Sequence, residues 1–284
     1  MNKVYACIDS LASTAAVIDW AAWSAQRLDA PLELLHVLER TGRPLVADYS
    51  GAIGLGSQET LLAELSALDA QRGKLAQEAG RQLLAGARQR AAAAGVARLD
   101  VRLRHGELID TVLEMEPDAR LFVLGQHYHA SVASKIHLDH HVERVIRAVK
   151  RPVLVSPGAP FEAPKRFVIA FDGSPTARKT LDTVARSPML KGLPVLLAMV
   201  GADTLQARQQ LEDARLALAV AGFEAAVELV SGEPEEVLPA LIKTQGASLL
   251  VMGAYGHSRI RQMIVGSTTT TLLRLSEIPV LILR

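Results

Sequence analysis

The chain has 284 residues, of which 49% are hydrophobic and 21% are charged, with a formal net charge of +1 at pH 7. This length and composition indicate a folded chain of about two domains and exclude an intrinsically disordered one. The small net charge and the low aromatic content of 4% argue against nucleic acid or a membrane surface as a partner.

The first half begins with a strand–helix–strand pattern. Residues 4–8 form an apolar run that ends at Asp9, residues 14–28 repeat apolar side chains at helical spacing, and residues 31–38 form the next strand-like run. This order predicts a parallel sheet with right-handed crossovers. The single cysteine, Cys7, lies in the first strand, so we expect a buried, unreactive thiol in a reducing compartment.

The next segment departs from this alternation. Residues 39–58 are rich in glycine and turn formers, which predicts a long irregular loop, either a plain linker or a mobile flap. Residues 59–94 are rich in helix formers and predict one long helix, or two helices with a break near Gly73. This loop and helix are also our candidate surface for a homodimer.

The remaining pattern of the first half recurs in the second. Prolines between residues 157 and 164 mark a linker, after which the strand ending in Asp172 repeats the strand ending in Asp9. Several further landmarks agree in order and spacing, which indicates two copies of one α/β unit of about 140 residues. We therefore predict one domain over residues 1–158 and another over residues 165–284.

One stretch of the second half combines glycines with a strand end and a helix start. Gly253 and Gly256 follow the apolar run 248–252, while Gly266 and Ser267 precede a hydroxyl-rich helix that starts at about Thr268. Glycine lets backbone N–H groups approach an anion, and a helix N-terminus adds unpaired donors and a partial positive charge. The pattern favours a phosphate-binding loop, and the alternative is a loop whose glycines serve only the turn.

Both halves resemble the universal stress protein family, here in tandem form. The spacing Gly-x2-Gly-x9-Gly-Ser, found once in the second half, resembles the most specific motif of that family. Asp172 at the end of the first strand and the pair Gly232-Glu233 also fit the family pattern. The resemblance implies two open, doubly wound parallel sheets of five strands each, Rossmann-like in fold, and ATP bound at the carboxyl edge of the sheet.

The resemblance also implies roles for particular residues. The phosphates and ribose should lie against Gly253, Gly256, Gly266, Ser267 and Thr268. Asp172 should lie against the ribose or a bound Mg²⁺, and the backbone of Met199 should meet the adenine. From its residues alone, Asp172 has a second interpretation as the N-cap of the helix that follows at Ser174 and Pro175.

The first half departs from the motif. Gly125 corresponds to Gly253, but Tyr128, Leu138 and Asp139 replace the later glycines and the serine. Side chains at these positions would fill the space of a phosphate, and the Asp139 carboxylate would repel it. We therefore expect nucleotide binding in the second half only.

Five of the eight histidines fall between residues 127 and 141. His137 and His141 are four residues apart and would share one helix face, as in many zinc sites. They are candidate metal ligands, with Asp9 or Asp139 beside them. The alternatives are a solvated polar segment and a pH-responsive cluster.

The sequence contains no clear catalytic residue. It has no Gly-x4-Gly-Lys-Ser/Thr run and no Gly-x-Ser-x-Gly elbow, so we assign no catalytic residues. Three functions stay open: a nucleotide-regulated binding module, which we prefer, a scaffold without ligand, and a slow ATP hydrolase or self-phosphorylating enzyme. The apolar edge strands at 153–155 and 280–283 should pair with each other, making the halves an intramolecular pseudo-dimer.

No apolar run approaches the roughly 18 residues that span a bilayer, and the first residues do not have a signal-peptide pattern. We therefore expect a cytoplasmic protein.

Overall fold

The computed structural model describes residues 2–39, 55–126, 140–253 and 267–284. Within these residues the chain forms ten strands and eight α-helices. The strands are β1 Lys3–Cys7, β2 Leu32–Leu38, β3 Leu99–His105, β4 Ala119–Gly125, β5 Val153–Ser156, β6 Phe167–Ala170, β7 Val195–Val200, β8 Ala225–Val230, β9 Leu250–Gly253 and β10 Val280–Leu283. The helices are α1 Thr14–Leu28, α2 Leu55–Ala93, α3 Leu108–Met115, α4 His140–Ala148, α5 Pro175–Arg186, α6 Leu205–Val220, α7 Pro234–Thr244 and α8 Ser267–Leu275.

All ten strands belong to one sheet, in the order β3-β2-β1-β4-β5-β10-β9-β6-β7-β8. Each half contributes five strands, and β1 pairs with β4 as β6 pairs with β9. Every pairing is parallel except that of β5 with β10, which is antiparallel and joins the halves. The predicted pairing of the two apolar edge strands is therefore confirmed.

The sheet is buried on both faces by helices. On one face α1, α2, α5 and α6 pack on a core that includes Val4, Leu34, Ile169 and Leu197. On the other face α3, α4, α7 and α8 pack on a core that includes Phe122 and Val168. Because neighbouring strand residues point to opposite faces, the apolar strand runs supply both cores at once. The predicted doubly wound α/β fold is confirmed, with the two sheets merged into one.

Helix α2 settles one alternative left by the sequence. It is a single helix through Gly73, and it begins at Leu55, so the last four residues of the predicted loop 39–58 are helical. Residues 40–54 lie outside the described part of the chain. The segment 64–79 projects from the sheet and exposes Leu65, Leu68 and Leu75 by 44 to 65%. The homodimer expected of this helix stays a prediction.

Candidate functional site at the carboxyl edge of the second half

A cleft of about 380 Å³ opens beyond the carboxyl ends of β6 and β9. These are the two strands between which the chain order of the second half reverses, because α5 leaves β6 on one face of the sheet and α8 follows β9 on the other. Ligands of open parallel sheets bind at such switch points. The described residues that line the cleft are Ala170, Phe171, Asp172, Ser174, Thr176, Ala177, Ala198, Val200, Pro234, Leu238, Met252, Gly253, Thr268, Thr269 and Leu272.

Three helices direct their first turns at this cleft. Thr176 and Ala177 belong to the first turn of α5, Pro234 is the first residue of α7, and Thr268 and Thr269 belong to the first turn of α8. The N-terminus of a helix carries about half a positive charge, although here the N–H of Ala177 is capped by Ser174 Oγ and Pro234 has no N–H. The convergence of three such ends favours an anionic group even though no lysine or arginine is among the described lining residues.

Asp172 lies at the mouth of the cleft with an exposed side chain. Its Oδ1 accepts a hydrogen bond of 2.9 Å from the backbone N–H of Ser174, which closes an Asx turn. The N-cap of α5 is Ser174, whose hydroxyl accepts from the N–H of Ala177. The interpretation of Asp172 as the cap of this helix is therefore wrong. Asp9 forms the corresponding turn in the first half, where its Oδ1 accepts from Leu11 N–H.

Gly253 lines the cleft, and close packing accounts for its lack of a side chain. A Cβ at this position would lie 2.8 Å from Thr176 Cγ2 and 2.9 Å from Thr180 Oγ1, both of α5. In the first half a Cβ on Gly125 would lie 2.5 Å from Ser13 Oγ. The two units thus share this glycine for helix-to-strand packing. The role of Gly253 in holding phosphate stays a prediction. The presence of glycine at this position does not support it, because packing alone requires a glycine there.

Met199 is not among the residues that line the cleft. Its side chain is 5% exposed and lies in the core beneath α5 and α6, while its neighbours Ala198 and Val200 line the cleft. This follows from the two-residue period of a strand, which sends alternate side chains to opposite faces. The proposed adenine contact of Met199 was assigned to its backbone, and it stays a prediction.

The rest of the glycine motif is described only in part. Gly256 and Gly266 lie outside the described residues, and Ser267 is placed as the first residue of α8. Thr268 lines the cleft as the sequence suggested. Ser174, Thr176 and Thr269 also line it, and sequence reasoning did not single them out as ligands. The sequence signal for these three residues is the hydroxyl-rich start of the helix that follows each of the two strands β6 and β9.

In the first half a carboxylate of the chain lies against the N-terminus of α3, the helix that corresponds to α7 in the repeat. Glu39 follows β2, and its Oε1 accepts a hydrogen bond of 3.0 Å from Leu108 N–H at the start of α3. The same oxygen lies 3.5 Å from His141 Nδ1 in the first turn of α4. A side chain of the chain itself thus satisfies a helix N-terminus there. Residue 202, the counterpart of Glu39 in the repeat, is alanine.

The predicted metal ligands are not brought together within the described part of the chain. His137 lies outside it, as does Asp139, and His141 faces Glu39. Asp9 is engaged locally, since its Oδ1 also accepts from the Thr14 hydroxyl at 3.0 Å. Across the described ranges no group of three or more histidine, cysteine or acidic residues has the geometry of a metal site.

Cys7 has the inert character that the sequence suggested. Its side chain is 8% exposed in β1, and burial, assisted by the nearby Asp9 carboxylate, raises the pKa of its thiol to about 12. A thiol that stays protonated at neutral pH is a poor nucleophile. Cys7 therefore belongs to the core.

Comparison with known proteins identifies the family. The model of the universal stress protein family matches residues 1–157 and 187–284. A universal stress protein of Synechocystis sp. is 33% identical over 288 aligned positions, which cover 100% of both chains. In the described ranges no helix is both long and apolar enough to cross a membrane.

Two solved structures add to this comparison. A universal stress protein from Archaeoglobus fulgidus covers 100% of this chain and 98% of its own at a TM-score of 0.77 and 20% identity, which shows a shared fold. Another structure from that organism, a universal stress protein in complex with dAMP, aligns with 42% of this chain and 97% of its own at 21% identity and a TM-score of 0.34. The family match over both halves and the full-length relative lead to one conclusion: this chain belongs to the universal stress protein family.

Proposed function

We propose that the second half binds ATP or another adenine nucleotide in the cleft between α5, α7 and α8. The observation that carries this proposal is the convergence of three helix N-termini on one cleft at the switch point of the sheet. The hydroxyls of Ser174, Thr176, Thr268 and Thr269 supply further donors for phosphate oxygens. Asp172 is the one acidic side chain among the described lining residues and is our candidate contact for a ribose hydroxyl or a nucleotide-bound Mg²⁺.

We confine the nucleotide to the second half. In the first half the Glu39 carboxylate accepts from the N-terminus of α3, which leaves less positive potential for a phosphate and adds a like charge. One nucleotide per chain is therefore expected.

The nucleotide acts as a switch of conformation or partner affinity during stress. A ligand can shift such an equilibrium only if it binds the two states differently. The antiparallel pairing of β5 with β10 supports an intramolecular pseudo-dimer. In such a pseudo-dimer, a conformational change in one half can be transmitted to the other through the continuous sheet. No described group beside the cleft resembles an activated nucleophile, so slow hydrolysis or self-phosphorylation is the second candidate, and a scaffold without ligand is the third.

The test is equilibrium dialysis of the full chain with radiolabelled ATP, together with mass spectrometry of nucleotide carried through purification. We expect saturable binding at one site per chain and no turnover above background. The complete absence of bound or bindable adenine nucleotide would sink the proposal and favour the scaffold. Phosphate release that disappears in Asp172→Ala would favour the enzyme instead.

A further inference from the structure

A second cleft lies where the two halves meet, away from the nucleotide cleft. It has a volume of about 430 Å³ and is lined by both halves. The first half contributes the end of α1 and the residues that precede β5, and the second half contributes α5 and the turn after it. This volume falls in the range of pockets that hold small organic ligands.

The interior of this junction cleft is apolar. Its lining includes Leu121 from β4, Leu281 and Leu283 from β10, and Met189 and Leu190 from the turn that follows α5. These side chains are 1 to 4% exposed and belong to the core beneath α1 and α5. A ligand in the cleft would therefore reach only the exposed edges of these side chains, which the fold already holds in place.

The rim of the junction cleft is cationic. Arg120 and Arg151 come from the first half, Lys179 and Arg186 come from α5, and Asp182 is the one acidic side chain among the described lining residues. The lining thus carries an excess of three positive charges, although the whole chain has a formal net charge of only +1. Since the 31 basic and 30 acidic residues of the chain nearly balance, this excess is a local concentration.

No carboxylate among the described residues forms an ion pair with any of the four cations. Arg120 Nη1 donates to the backbone carbonyl of Leu28 at 3.3 Å, and Arg151 Nε donates to that of Glu116 at 3.2 Å. Among the described residues none of the four lies in an ion pair, whereas Arg90 and Arg102 are each paired with a carboxylate. Carbonyls orient these two guanidinium groups without cancelling their charge, which leaves donors available for an anion.

The junction itself is held by contacts that fix the shape of the cleft. Arg27 at the end of α1 donates from Nε to the carbonyl of Met189 at 2.9 Å and from Nη2 to the carbonyl of Lys191. Trp20 of α1 packs edge-on against Phe161 of the linker, with ring centroids 5.0 Å apart. The two walls of the cleft are thus tied together by polar and apolar contacts on the same face.

We infer that the junction cleft binds a small organic anion with an apolar body, such as a carboxylate, sulfonate or phosphate monoester of an aromatic or aliphatic group. The apolar floor of the cleft contacts the apolar part of the ligand, and the cations of both halves bind its acidic group. Because the lining comes from both halves, the bound anion bridges them and stabilises their contact. The two clefts share no described lining residue, although α5 contributes to both.

The probe is 1-anilinonaphthalene-8-sulfonate, which combines an apolar ring system with one sulfonate. Its neutral analogue, N-phenyl-1-naphthylamine, lacks the sulfonate and serves as the matched probe. Fluorescence titrations of the full chain are made in low salt without ATP, because ATP is itself an organic anion that could enter a cationic cleft. We expect the sulfonate dye to bind more tightly than the neutral dye. Added salt should lower the affinity of the sulfonate dye and leave that of the neutral dye unchanged.

The deciding variant is Lys179→Gln/Arg186→Gln, because neither side chain makes a hydrogen bond or ion pair within the described chain, so the fold should be retained. Loss of two charges near the sulfonate should weaken its binding about tenfold in low salt. Asp182→Asn removes the opposing charge and should tighten binding about threefold. The control Arg88→Gln/Lys243→Gln removes two exposed charges remote from the cleft and should leave binding unchanged.

The outcome that overturns the inference is equally concrete. Equal sulfonate affinity in the wild type and in Lys179→Gln/Arg186→Gln would mean that these cations do not bind the anion. Equal affinity of the neutral and anionic dyes would mean that the cleft is merely apolar. Either result leaves ATP binding untouched, so failure here is distinguishable from failure of the nucleotide proposal.

Discussion

Thr268→Glu separates a phosphate-binding role of the nucleotide cleft from a purely structural one. Thr268 is the second residue of α8 and lines the cleft. A carboxylate in the first turn of a helix is favourable for stability by about 0.3–1 kcal/mol, because it faces the positive end of the helix dipole. The variant should therefore fold at least as well as the wild type, while its new charge occupies the position proposed for a phosphate.

The expected loss of affinity follows from Coulomb's law. Two like charges about 4 Å apart repel by roughly 1 kcal/mol in water and roughly 4 kcal/mol at an effective dielectric constant of about 20. The cleft is open to solvent on one side and walled by apolar residues such as Phe171 and Leu272 on the other. The repulsion energy in the cleft should therefore lie between these two limits. ATP should bind about fivefold to nearly a thousandfold more weakly.

Isothermal titration calorimetry with MgATP measures this loss, and urea denaturation measures the stability of the same samples. The matched control is Gln206→Glu, which adds the same charge at the second residue of α6, where the side chain is exposed and outside the cleft. The control should bind ATP like the wild type. Wild-type affinity in a stably folded Thr268→Glu chain would refute the placement of phosphate at the start of α8.

Further predictions concern the stability of the fold. Gly253→Ala should lower the free energy of unfolding by about 1–3 kcal/mol through overpacking against α5, whereas Gly86→Ala in open space on α2 should raise it by about 0.5–1 kcal/mol, both measured by urea denaturation. Glu33→Gln should cost about 1–3 kcal/mol, because Glu33 is 1% exposed and accepts from Lys3 Nζ at 2.8 Å; an unchanged midpoint would contradict this. The Cys7 thiol, whose pKa is raised from 9.0 to about 12, contributes stability that is complete below pH 9 and lost between pH 9 and 12. One pKa unit corresponds to about 1.4 kcal/mol. The free energy of unfolding of Cys7→Ala should therefore fall by up to about 4 kcal/mol less than that of the wild type between pH 9 and pH 12, as measured by denaturation.

Much of the fold was accessible from the sequence, for a physical reason. A buried parallel strand must be apolar on both faces, and a covering helix must be apolar on one, so their alternation is visible in the chain. The repeat then supplied a second copy of each landmark, such as Asp172 for Asp9. Helix α2 is the exception at its start, since glycines at residues 54 and 56 indicated a loop where the helix already begins.

The candidate site was accessible only in part. The sequence predicted that Asp172, Gly253 and Thr268 would meet at one edge, and all three line the same cleft. It did not predict that the close approach of Thr176 on α5 requires a glycine at position 253. The distance between a strand and the helix packed on it cannot be inferred from the sequence of either segment. The phase of β7 likewise decides that Ala198, and not Met199, lines the cleft.

The tandem α/β units, the order of their elements and the second-half glycine motif can be recognised in the sequence, because they depend on local periodicity and on repetition. Which groups meet across long separations depends on how the helices pack on the sheet. The tertiary structure placed Glu39 against the N-terminus of α3 and joined β5 to β10 in one sheet. It also gathered four cations from both halves around one apolar cleft. The reason is that packing brings together side chains whose positions along the chain carry no common pattern.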